Sequence, residues 1–218
     1  MHKTTTIEME TDVLAENRRL AQENLRRLRS IGIKSVDVMG SIGSGKTALI
    51  VRMATMMREH GLRVGAIAGD VSGEDDYTIF KQSGIVSVNV NTGKECHLDA
   101  HLIEHATEDM DLDQLDFLFI ENVGNLVCPA DFPLGTDHRM VVISPTEGDD
   151  MINKHPQIFL EAEIAVLNKI DLLPYLDASV DRLIADYSRV RKRSKLHLTS
   201  AKTGEGTEEL LKALGVDL

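Results

Sequence analysis

The stretch Val36-Asp37-Val38-Met39-Gly40-Ser41-Ile42-Gly43-Ser44-Gly45-Lys46-Thr47 fits the phosphate-loop spacing G-x-x-x-x-G-K-[ST] directly behind a short apolar run. The spacing has a chemical reason. Glycines at 40, 43 and 45 let backbone N–H groups, those of Ser41 and Ser44 among them, converge on phosphate oxygens, and the positive end of the following helix faces the same charge. Lys46 then reaches the β- and γ-phosphates, and the Thr47 hydroxyl can ligate Mg²⁺. Because helix-forming Ala48-Leu49-Ile50-Val51-Arg52-Met53 follows at once, the segment reads as strand, loop and helix, and predicts nucleoside triphosphate binding.

Outward from this loop, short apolar runs alternate with helical patterns. Val64–Ala68, Val86–Val90, Phe117–Ile120, Met140–Ile143, Ile164–Leu167 and Leu196–Leu198 read as strands, with helices expected over 45–60, 74–83, 97–108, 177–192 and 206–214. This alternation predicts a three-layer α/β phosphate-loop fold, a mainly parallel sheet with helices on both faces and ligands beyond the carboxyl ends of the strands. The 218 residues fit one domain, 1–218, led by a charged helix over about 12–31 that Thr11-Asp12 caps and Gly32 stops. A formal net charge of −11 argues against nucleic acid or an anionic membrane as partner, and no run is long and apolar enough to span a bilayer. With two cysteines and no basic-then-apolar leader, the expected compartment is the cytoplasm.

Base choice follows from the late strands. Ile164–Leu167 runs into Asn168-Lys169-Ile170-Asp171, which looks like the N-K-x-D element of GTPases. A carboxylate at Asp171 can accept from both the N1–H and the exocyclic amine of guanine, a pairing adenine cannot offer. Ser200-Ala201-Lys202, after Leu196–Leu198, resembles the loop that packs beside the guanine, so GTP is expected rather than ATP. Hydrolysis needs Mg²⁺ and a positioned water. Lys46, Asp70 and Glu121 are the expected catalytic residues; Thr47, Asp70, Asp76 and Glu121 are the expected magnesium ligands, and the Gly124 N–H is placed to sense the γ-phosphate. Gly73-Glu74-Asp75-Asp76 reads as a switch loop.

Cys96, His97, His101 and His105 form a second constellation. On a helix from 97 the histidines fall at i, i+4 and i+8, and a thiol at that helix's start would favour the thiolate that metals require. Thiolate and imidazole suit zinc or nickel, and closing such a site needs Cys128 brought in from the loop after Glu121. Read from spacing alone, Cys128 as a small buried hydrophobe and the histidines as surface residues remain the alternative.

Taken together, the phosphate loop, Ala68-Gly69-Asp70, Asn91 to Ala100, Glu121 to Ala130, Glu147-Gly148-Asp149-Asp150 and Asn168-Lys169-Ile170-Asp171 resemble the hydrogenase nickel-incorporation GTPases, the HypB family, over nearly the whole chain from Val13. The resemblance implies a slow GTPase that dimerises in response to GTP and delivers nickel to [NiFe]-hydrogenase precursors. It implies a nickel or zinc site of Cys96, His97 and Cys128 near the dimer interface, with His101 and His105 as extra ligands. A HypA-type nickel/zinc accessory protein and the hydrogenase large-subunit precursor are the implied partners. The cysteine-rich or histidine-rich start of some members has no counterpart in Met1-His2-Lys3-Thr4-Thr5-Thr6. Urease-accessory nickel GTPases fit the Glu121–Ala130 block less well. A metabolite kinase would need an Arg-rich lid where Val71–Tyr77 is acidic, and a GTPase switch without its own metal cargo is the third reading.

Overall fold

A computed structural model of the chain describes the backbone of residues 2–218 and the side chains of residues 12–218; the expectation about nickel-binding groups in residues 1–6 lies outside the described side chains. Strands β1 (Lys34–Gly40), β2 (Val64–Asp70), β3 (Val86–Asn91), β4 (Phe117–Glu121), β5 (His138–Ile143), β6 (Ile164–Leu167) and β7 (Leu196–Leu198) join one sheet in the order β3-β2-β4-β1-β5-β6-β7. Every pairing of neighbouring strands is parallel, so all carboxyl ends open on one edge. The phosphate-loop strand β1 is central. The chain completes β4, β2 and β3 on one side of it before starting β5, β6 and β7 on the other.

Both faces of a parallel sheet are covered, so its strands read as continuous apolar runs. Val36 and Val38 of β1 pack with Leu49, Ile50 and Met53 of α2 (Lys46–Glu59) and with Leu210 and Leu211 of α8 (Thr207–Ala213). On the other face, Met39, Val141 and Ile143 meet Phe159 of α6 (Pro156–Glu161) and Tyr187 of α7 (Val180–Val190). Ile67, Leu118 and Ile120 pack there against Ile103 of α4 (Ala100–Glu108) and Leu28 of α1 (His2–Ser30).

Three expectations need correction. The leading helix is not capped at Thr11-Asp12 but runs His2–Ser30, ending where Gly32 (φ 82°) donates its N–H to the Arg29 carbonyl. Its buried stripe is Asn17, Ala21, Asn24 and Leu28; Leu14, Leu20 and Leu25 are only half-buried. The helix expected from 97 starts at Ala100, because Asp99 adopts an extended backbone and its carboxylate accepts from Leu102 N–H at 2.8 Å. Cys96 and His97 therefore lie in the preceding loop. Asp75 and Asp76 form the first turn of α3 (Asp75–Gln82) rather than a loop, and the short α5 (Met151–Lys154) and α6 lie where no helical periodicity is readable.

Candidate nucleotide and metal site

The phosphate loop leaves β1 through glycines that the backbone demands. Gly43 and Gly45 sit at φ 78° and 89°, a region costly to side chains, and a Cβ on Gly45 would lie 2.6 Å from Asn168 Nδ2. Asn168 is buried: its amide donates to the carbonyls of Ser44 (3.0 Å) and Gly45 (3.3 Å), and its Oδ1 accepts from Ala201 N–H at 3.1 Å. Lys169, at φ 63°, donates to the Gly43 carbonyl at 2.6 Å. Thus Asn168 and Lys169 brace the loop, while Asp171 accepts from Ser200 Oγ at 2.6 Å. Lys202 is exposed; its carbonyl and that of Ala201 accept from Arg52 at 3.0 and 2.9 Å.

Acids gather where Mg²⁺ would bind. Thr47 Oγ1 lies 2.7 Å from Asp76 Oδ1 and 2.9 Å from Glu121 Oε1. Burial pushes Glu121 up to about 8, against the pull of Lys46. Glu121 Oε2 is buried without any hydrogen-bond partner, a hard oxygen donor left over that a magnesium ion fits. Asp70, half-buried at the end of β2, accepts from its neighbour Val71 N–H at 2.6 Å and faces the same cleft. Lys46 donates to the Ser41 carbonyl at 3.2 Å.

The structure brings three of the five expected soft ligands together. Ligand atoms of Cys96, His97 and Cys128 all lie within 4.8 Å of one another, and the two sulfurs are 2.8 Å apart, too far for a disulfide. His97 lies against the Phe132 ring at 3.9 Å between centroids, and burial lowers its basicity, the direction that favours a neutral imidazole. His101 and His105 are not in this group: they stand exposed on α4, beside Glu104 (3.7 Å) and Glu108 (3.3 Å), because the helix begins three residues later than spacing suggested.

The two sites adjoin. A cleft of about 720 Å³ is lined by phosphate-loop residues, Asp70, Asp76, Glu121, Gly124 and also Cys96. Asn125 joins them: its N–H donates to the Gly40 carbonyl at 2.9 Å, its Oδ1 accepts from Val127 N–H (2.7 Å) and Cys128 N–H (3.4 Å), and its Nδ2 donates to the Cys96 carbonyl at 3.4 Å. Sequence reasoning missed Asn125, Arg52 and Glu147, which accepts from Ser41 Oγ and braces the phosphate loop. Only the Glu121–Ala130 and Glu147–Asp150 blocks flagged two of them.

The CobW/HypB/UreG nucleotide-binding domain family matches residues 35–197. A probable hydrogenase maturation factor HypB from Methanocaldococcus jannaschii is 46% identical over 97% of this chain and 95% of its own length. The crystal structure of a hydrogenase maturation factor HypB from Archaeoglobus fulgidus superposes with a TM-score of 0.84 at 44% identity, covering 92% of this chain and 98% of that one. HypB from Helicobacter pylori in complex with nickel superposes with a TM-score of 0.86 at 30% identity, covering 91% and 93%. Among the described residues no helix is long and apolar enough to cross a membrane.

Proposed function

Since the chain belongs to the HypB family of hydrogenase maturation factors, we propose that it is a cytoplasmic GTPase that carries nickel to [NiFe]-hydrogenase precursors, hydrolysing GTP slowly and pairing as a GTP-promoted homodimer. Its partners would be a HypA-type nickel/zinc accessory protein and the hydrogenase large-subunit precursor. The observation that carries the reading is Cys96, which lines the nucleotide cleft and also stands in the cysteine–histidine cluster.

Each residue then has a task. The loop Gly40–Thr47 holds the phosphates, with Lys46 released from Ser41 to meet the γ-phosphate; Asp171, Ser200 and Ala201 hold guanine, and Lys202 closes that loop from outside. Bound Mg²⁺ would neutralise charge developing on the β- and γ-phosphates, held by Thr47 and Glu121 with Asp70 and Asp76 beside them. Glu121 serves there as a carboxylate, and Asp70 orients water. Cys96, His97 and Cys128 hold nickel as cargo, with zinc as the competing occupant. Coupling runs along one loop: fixing Glu121 and Gly124 at the γ-phosphate sets Asn125, which is tied to both cysteine-bearing backbones.

The test is nickel titration of the protein loaded with GDP or with a non-hydrolysable GTP analogue, with mass read by light scattering. Nickel binding that differs between the two states, is lost in Cys96→Ala and Cys128→Ala, and accompanies a GTP-induced dimer is the expected result. Equal nickel affinity in both states overturns the coupling; no cysteine-dependent nickel binding at all leaves a GTPase switch without cargo.

A further inference from the structure

An ionised or ionisable side chain in the middle of a central parallel strand is expensive unless its oxygens are engaged. Asp37 is such a group: it is 0% exposed, between Val36 and Val38 of β1, and neither the phosphate loop nor the base site uses it. Each of its two oxygens has its own partner. Asp37 Oδ1 accepts from Asn122 Nδ2 at 3.1 Å, and Oδ2 faces Arg139 Nε at 3.5 Å. Each partner then reaches a different loop. Asn122 Oδ1 accepts from Leu98 N–H at 3.0 Å, and the Arg139 guanidinium donates to the carbonyls of Pro129 (2.5 Å) and Ala130 (3.3 Å).

Both arms end one residue from a soft ligand. Leu98 follows His97, and Pro129 follows Cys128. The two ligand loops come from opposite sides of β2 and make no shared strand, so hydrogen bonds set the register between them: those of Asn125 within the loops and those of the Asp37 set beneath. We infer that Asp37, with Asn122 and Arg139, is a positioning set for the cysteine–histidine site, fixing the His97 and Cys128 backbones to one carboxylate in the strand below. This deepens the metal reading proposed above and rests on it. Partners that orient ligands in this way change metal affinity roughly 10- to 100-fold when removed.

The experiment uses Arg139→Lys, which keeps a positive charge for Asp37 but cannot span two carbonyls, and the paired Asp37→Leu/Arg139→Met, which removes both charges together so that none is left buried alone. Nickel(II) is titrated into each, following the thiolate-to-nickel charge-transfer absorption; guanine-nucleotide affinity and thermal unfolding are measured alongside. The expected result is nickel affinity lowered roughly 10- to 100-fold with a shifted charge-transfer band, while nucleotide affinity moves by less than about threefold. Folded variants with the wild-type nickel affinity and band overturn the inference. Should the wild-type protein itself show no nickel binding that depends on Cys96 and Cys128, it is the cargo reading that fails instead.

Discussion

In the reading proposed above, base specificity rests on Asp171, whose neighbours are settled. Ser200 Oγ holds one of its oxygens, and Asn168 and Lys169 are committed to bracing the phosphate loop, so base reading concentrates on a single side chain. Asp171→Asn, which offers one acceptor and one donor in place of two acceptors, is expected to weaken GTP by at least about a hundredfold and to improve binding of xanthosine triphosphate; competition binding of the two nucleotides reads both changes. Asp37 supplies a second residue-level expectation. Burial raises it from 3.8 to about 6, with Arg139 and Asn122 opposing, so between those values the folded chain keeps a proton that the unfolded chain releases. Its contribution to stability therefore falls as pH rises from about 4 to about 6 and is level above. Subtracting urea-unfolding curves of Asp37→Asn from wild type at pH values across that window should reveal this slope; parallel curves would contradict it.

At the scale of elements, α1 is held by buried amides as well as by Leu28 and Ala21. Asn17 Oδ1 accepts from Ala100 N–H at 2.8 Å, and Asn24 Nδ2 donates to the Ala100 carbonyl at 2.7 Å and the Leu134 carbonyl at 3.1 Å. The helix thus grips the first residue of α4 by both its backbone groups. Asn24→Ala leaves buried carbonyls unpaired and should destabilise the protein by about 1–3 kcal/mol in chemical denaturation; Asn24→Gln should not restore it, because the longer amide overshoots. This grip also shows where sequence reading stops. Apolar runs of strand length identified all seven strands, since a buried parallel strand has no other way to be written. The α1 periodicity of Leu14, Leu20, Leu25 and Leu28 finds only Leu28 of the buried stripe, because asparagine there looks like surface until its partners are known. The α4 start was misplaced for a similar reason: Cys96 to His105 is helix-compatible throughout, and only the extended backbone of Asp99 ends the loop. The tasks of Asn125 and Arg139 were illegible, lying in contacts with residues 85 and 10 positions away.

The whole molecule places a GTP site and a thiol–imidazole cluster on one edge of one sheet, and linkage then imposes a symmetry. If the GTP analogue raises nickel affinity by some factor over GDP, nickel must raise preference for the analogue by that same factor. Nucleotide titrations with and without nickel, set beside the nickel titrations, should agree; a mismatch would mean that a further equilibrium, dimerisation first among candidates, carries part of the coupling. The order in which the sheet is filled has a consequence of another kind. A ribosome delivers the chain from its first residue, so β1 through β4, the phosphate loop, Cys96, His97 and Cys128 all emerge before Asn168, Asp171 and Ser200 exist. During synthesis there is consequently an interval in which the phosphate loop and the cysteine–histidine cluster are present on the nascent chain while the proposed guanine-reading residues are not, and the last strands to leave the ribosome complete the nucleotide site.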